Sequence, residues 1–278
     1  MIDRRSWRTQ GTSPPLRGDS HWQEIDAARD EPATMPTLDD ALEAVRTAMI
    51  RQSGPVADDL EGLVPFDAML AVVLGRALSG ARWRAALDGL GESSLLTPDR
   101  LANSEILEIA DALREKGVAG SAKTSASLKH LARWVVEHRD TGNFPGECED
   151  PDELSLPLGL LREELGAIKG IGPATADAIV LFALKRPSYP VDRASFRVLV
   201  RHGWLDSTAT YDEARDLLVE RAMHGADELE EKAVTALSDV SHGMELLGRK
   251  FCRAAAPHCV GCPLEHLLPE GGPREVDA

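Results

Sequence analysis

Asp192 stands after an apolar run in "PVDR" at 190–193, and Arg193, Arg197 and Arg201 follow it at helical spacing. A lone carboxylate among cations invites charge chemistry, and its position equally fits the N-cap of a helix starting with "RASFRVLV". The two roles are compatible, because a cap holds its side chain still. Upstream, "IKGIGPATA" at 168–176 places Gly170 and Gly172 on either side of Ile171. Glycines there permit positive φ and leave the backbone bare where something must approach closely. Pro173 suits a first helical turn and Thr175 adds a hydroxyl. The unpaired N–H groups of such a turn can bind a phosphate. The same glycines also suit a plain helix–helix turn. A third group is Cys252, Cys259 and Cys262, with Cys148 far upstream. In a cytoplasmic chain this clustering points to a metal or iron–sulfur site more than to disulfides.

The elements that must position these residues read as helices. The chain has 278 residues, 28% charged and 43% hydrophobic, enough for one large domain or two lobes sharing a core. Residues 1–36 lack periodicity and predict a flexible tail that Trp7 and Trp22 could tether. Thr37 with Asp40 makes a capping box for "TLDDALEAVRTAMI", which stops near Gly54-Pro55. "PFDAMLAVVLGRAL" predicts a buried helix opened by Pro65. "TPDRLAN", "SEILEIADALREKG" and "SAKTSASLKHLARWVVEH" follow, and an acidic Pro/Gly loop spans 140–157. Beyond it come "LGLLREELGAI", "GPATADAIVLFAL", "RASFRVLVRHG", "YDEARDLLVERAM" and "ELEEKAVTALSDVSHGMELLGRKFC". No segment alternates with period two, which predicts an all-α fold. No apolar run is long enough to span a bilayer, and the N-terminus lacks a secretory core, so a cytoplasmic protein is expected.

Taken together, "KGIGPATADAIVLFALKRPSYPVDRASFRVLVRHG" and "VSHGMELLGRKFC" resemble the helix-hairpin-helix DNA glycosylases of the endonuclease III superfamily. That family carries a glycine hairpin, a helix, an apolar "VD" opening another helix, and a last long helix running through "GR" into cysteines. The likeness spans roughly 37–268 and is strongest over 165–262. It implies two helical lobes with a cleft between them: a barrel lobe at 60–186 with the hairpin, and a second lobe from 37–59 and 187–268. Asp192 is then the catalytic carboxylate, stabilising an oxocarbenium-like sugar and orienting or deprotonating water. Lys169, Gly170, Ile171, Gly172, Thr175, Arg193 and Arg197 are the implied DNA contacts.

Three departures qualify the likeness. Bifunctional relatives carry a lysine two residues after the second hairpin glycine, whose amine forms a Schiff base with the sugar. Ala174 stands there, which points to a monofunctional enzyme using water. Lys169 and "ALKRPSYPVD" look more like the 3-methyladenine glycosylase branch. The family helix after Pro65 often carries a Gln that fills the gap left by a flipped base; Arg76 lies near that place, with Ser79 beyond. The family's cysteine spacing is C-x6-C-x2-C-x5-C, and Leu268 replaces the fourth cysteine. A [4Fe–4S] cluster wants four ligands. His266 would make a Cys3His zinc set, and a decayed site with plain thiols is also open.

A net charge of −15 argues against nucleic acid. Between Lys169 and Arg201, however, six cations (Lys169, Lys185, Arg186, Arg193, Arg197, Arg201) face Asp177 and Asp192, a local +4. That is enough for phosphate contacts of modest, salt-dependent affinity. The expected function is a monomeric base-excision repair glycosylase that flips a damaged base from double-stranded DNA and hydrolyses its N-glycosidic bond. A bifunctional glycosylase/lyase and a non-catalytic DNA-binding module are the alternatives.

Overall fold

The computed structural model describes residues 37–53, 60–78, 82–118, 121–140, 156–224 and 230–276. The chain divides into two units, Met1–Met35 and Pro36–Ala278, and every described residue belongs to the second. The expected tail with Trp7 and Trp22, the breaker at Gly54-Pro55, Ser79, and the loop holding Cys148 lie outside the described residues.

Among the described residues there are eleven α-helices and no strand. They are α1 (Leu38–Ser53), α2 (Pro65–Ala77), α3 (Arg82–Glu92), α4 (Pro98–Asn103), α5 (Ile106–Glu115), α6 (Ala122–Asp140), α7 (Leu158–Ala167), α8 (Pro173–Ala178), α9 (Arg193–Arg201), α10 (Tyr211–His224) and α11 (Glu230–Lys250). A π-helical turn, Ile179–Ala183, continues α8. The capping box at α1 forms as read, with Thr37 N and Oγ1 donating to Asp40 and Asp40 N donating back to Thr37 Oγ1. Pro65, Pro98 and Pro173 each open a helix where the missing N–H costs nothing. Helix α3 escaped the sequence pattern because "RWRAALDGLGE" carries two glycines and no cap signal. Gly89 is no breaker: a Cβ there would run into Ala112 O, so the glycine lets α3 and α5 touch closely.

Buried side chains fall into two clusters. The first gathers Met69, Leu70, Leu101, Leu113, Leu131 and their neighbours from α2–α8. The second gathers α1, α9 and α10 around Leu237, Val240 and Met244 of α11. The π turn is the joint: Ile179 and Val180 belong to the first cluster, Leu181 to the second, and Phe182 packs against both. No helix among the described residues is long and apolar enough to cross a membrane.

Candidate active site

Helix α7, a tight turn and α8 form the hairpin. Ile171 is buried in the first cluster and its N–H bonds Ile168 O at 2.9 Å, which anchors the turn from inside. From α6, the His130 imidazole reaches Lys169 O at 3.1 Å; the carbonyl only accepts, so Nδ1 carries the proton. Gly170 sits at φ +95°, the left-handed region, and a Cβ would collide with Ser127 Oγ. Gly172 differs from expectation. Its φ is −96°, open to any residue, and a Cβ there would meet nothing within 4 Å. Its bareness answers to no neighbour inside the protein. Lys169, Gly170 and Gly172 are exposed beside it, and Thr175 is half-buried in the first turn of α8.

The π turn delivers the chain to the second half of the site. Leu184 N bonds Ile179 O and Arg186 N bonds Val180 O, both at 3.0 Å, and Lys185 between them takes φ 53°. The segment then extends to Asp192, which caps α9 by accepting from Ser195 N at 2.7 Å. Gly248 of α11 is pressed against this helix start: a Cβ on it would overlap Ala194. The "GR" that looked like a signature is therefore a close-approach point between α9 and α11.

A cavity of about 1110 Å3 is lined from both clusters, by Val72 and Trp83 on one side and Val234 and His242 on the other, with Asp192 and Lys185 on its wall. His242 Nδ1 donates to Ser238 O at 2.8 Å, and its ring meets Phe182 edge-on. Asp239 lines the cavity too; burial pushes its carboxyl up, opposed by Arg46 at 3.8 Å. Arg76 is exposed at the rim.

Behind Asp192 lies a polar group that sequence reading counted only as one negative charge. Asp177 of α8 is fully buried and accepts from the Arg162 guanidinium of α7, from Ser188 Oγ at 2.5 Å and from Tyr211 OH at 2.6 Å. Tyr189, also fully buried, shares a 2.9 Å hydrogen bond with Ser195 Oγ. Burial pushes both phenols up, for Tyr211 with the help of the Asp177 carboxylate, so both stay protonated donors. The one signal in the sequence was an unusual density of hydroxyls around "SYPVD".

The basic face is smaller than the residue count implied. Arg193 is exposed, but Arg197, an expected DNA contact, donates to Cys252 O through Nε (3.3 Å) and its terminal nitrogen (3.1 Å). Arg201 is buried against Cys252 Sγ, Arg253 O and Ala254 O, and Arg186 holds Leu156 O. These guanidiniums satisfy carbonyls that would otherwise lack partners.

The expected metal set does not assemble. No group of three or more His, Cys, Asp or Glu among the described residues is arranged to hold an ion. Cys252 is buried under Arg201, and burial pushes the Cys259 and Cys262 thiols up, favouring the neutral form over a ligating thiolate. His266 is exposed and its charge is felt by Asp40 of α1, not by the cysteines. With Leu268 in the fourth position, the residues present do not fit a four-thiolate cluster or a Cys3His zinc site.

Comparison with known proteins agrees with this architecture. The chain superposes on endonuclease III trapped as a covalent intermediate with DNA (TM-score 0.58, 24% identity, 85% of this chain and 98% of that one). It also matches a Helicobacter pylori 3-methyladenine DNA glycosylase (TM-score 0.55, 18% identity, 76% and 96%). The fold is thus that of the helix-hairpin-helix glycosylase superfamily. No family model matches the sequence. The sequence is 33% identical over 214 residues to the endonuclease III of Bacillus subtilis strain 168, covering 76% of this chain and 84% of that protein. It is 28% identical over 198 residues to the endonuclease III of Sulfolobus acidocaldarius, covering 71% and 78%. The chain belongs to the endonuclease III family.

Proposed function

We propose that this chain, a DNA N-glycosylase of base-excision repair, releases a damaged base by hydrolysis, with Asp192 as the catalytic carboxylate and water as the nucleophile. The observation that carries this reading is the pairing of Asp192 on the cavity wall with Ala174 in the hairpin. The carboxylate is held by a helix cap, and the hairpin position that would supply an attacking amine holds a methyl group. Bare backbone at Gly170 and Gly172, with Lys169 and Arg193, receives phosphates of the duplex, and the flipped nucleotide enters the cavity. As the bond to the base lengthens, positive charge grows on the sugar, and a fixed carboxylate stabilises that charge more than it stabilises the neutral substrate. No step needs a metal. The enzyme acts as a monomer, in the cytoplasm and on the nucleoid.

Asp192→Asn tests this at saturating protein with a lesion-bearing duplex. Asn keeps the cap and the size, so α9 stays folded, while single-turnover base release falls roughly 10²-fold or more. Release at the parent rate by bound protein would reduce Asp192 to a cap.

A lyase reading is favoured by one observation, the presence of Lys185 on the same cavity wall. Borohydride trapping on an abasic duplex separates the two. A covalent adduct lost in Lys185→Met would establish the lyase, and absence of an adduct leaves hydrolysis alone.

A further inference from the structure

The hairpin and the Asp192 segment come from different parts of the site, yet one buried carboxylate touches both. Asp177 holds Arg162 across the hairpin, from α8 to α7, and holds Ser188, the fourth residue before Asp192. Tyr211, at the start of α10, donates to Asp177 and lies 3.5 Å from Tyr189 O. Tyr189 in turn reaches forward to Ser195, whose backbone N–H is the donor that fixes Asp192 Oδ1. From Ser188 to Ser195 the chain is therefore pinned on both sides of Asp192. All the polar atoms concerned are buried or nearly so, where an unmade hydrogen bond is costly and a made one is geometrically demanding.

Resting on the reading of Asp192 given above, we infer that Asp177, with Ser188 and Tyr211, is a positioning group that sets Asp192 against the sugar and ties that placement to the hairpin. Plain structural glue would need no such route, because the apolar side chains of both clusters already bury α8 and α9. The polar contacts converge instead on the few residues leading to one carboxylate. Asp177 receives four hydrogen bonds from three side chains, which leaves its two oxygens little freedom to shift. Cutting one of them loosens the segment without opening a hole in the core.

The test is a double-mutant cycle read by single-turnover base release at saturating protein. Tyr211→Phe removes the phenol donor and keeps the ring; Ser188→Ala is the second, independent cut. Each should slow base release roughly tenfold in the parent background, as expected when a catalytic group is misplaced by a fraction of an ångström. Affinity for the lesion duplex and the circular dichroism spectrum should stay as in the parent. In the Asp192→Asn background the same cuts should change the residual rate less than twofold, because the group they position is gone. An equal slowing in both backgrounds, or a full parental rate in Tyr211→Phe and Ser188→Ala, overturns the proposal. A parental rate in Asp192→Asn alone overturns the catalytic reading instead, so the two failures are told apart.

Discussion

The turn at 168–172 with Asp192, and the cysteine loop at 252–262, both entered as motifs with recognisable spacing, and they fold to opposite ends. In the first, side chains from α6, α7, α10 and α11 converge on the motif: His130 on Lys169 O, Arg162 and Tyr211 on Asp177, Gly248 on the start of α9. In the second, the groups that converge are Arg197 and Arg201, and they bond carbonyls and a sulfur of the loop itself. Spacing supplies candidate ligands. What distant residues do to them decides whether a site results.

The sharpest way to break this contrast is to compare charge removal at Asp192 with removal of all three thiols. Asp192→Asn should cost roughly 10²-fold in base release, whereas Cys252→Ser, Cys259→Ser and Cys262→Ser combined should leave it within about twofold. Protein purified without oxygen should carry no stoichiometric iron or zinc. A brown preparation whose colour and activity both vanish in the triple variant would restore the cluster and erase the distinction.

A smaller effect sharpens the hairpin side. Gly172→Asp puts a carboxylate into open space where the backbone is bare, so the fold should hold. Binding to damaged and undamaged duplex alike should weaken roughly tenfold, with a reduced salt dependence. Unchanged affinity in a filter or anisotropy titration would remove the turn from the DNA contact.

On the other side, Arg201→Met should leave base release per folded molecule unchanged. Equilibrium unfolding in urea should show a loss of about 1–3 kcal/mol, since Arg253 O and Ala254 O lose their donor. A drop in catalysis without a drop in stability would mean that the cysteine loop talks to the site after all.

The smallest effect is a pH dependence at His202, which stacks on Trp204 and bonds Leu267 O. Burial lowers its pKa from the ordinary 6.5. Above 6.5 the imidazole is neutral in both folded and unfolded chains and contributes no slope. As the pH falls through that value the unfolded chain takes up the proton first, so stability declines until the folded-state pKa is passed. Denaturant midpoints measured from pH 7 to 5 should fall less in His202→Asn than in the parent.

Much of this was legible in the sequence because it is local. The capping box at Thr37, Pro173 at the first turn of α8 and Asp192 as the cap of α9 depend on residues three or four apart, and all three formed as read. What was hidden depends on distance along the chain. Arg162 and Asp177 are separated by fifteen residues, Tyr211 and Asp177 by thirty-four, and Arg197 and Cys252 by fifty-five. No period or spacing announces such pairs. Gly89 and Gly248 were unreadable for the same reason: each makes room for a helix whose arrival only the fold specifies.

The π turn at Ile179–Ala183 makes chain length itself a setting of the enzyme. Such a turn holds one residue more than an α-helix would use for the same stretch. Deleting any one of its five residues would let the ladder close as α. Everything downstream would then rotate by about 100° and draw back about 1.5 Å. Leu181 would leave the second cluster, and Asp192 would leave the cavity wall with every side chain type intact. A scan of single-residue deletions along α7 to α9 should therefore find a sharp minimum of tolerance here, at a stretch of plain aliphatic residues that substitution alone would rate as forgiving.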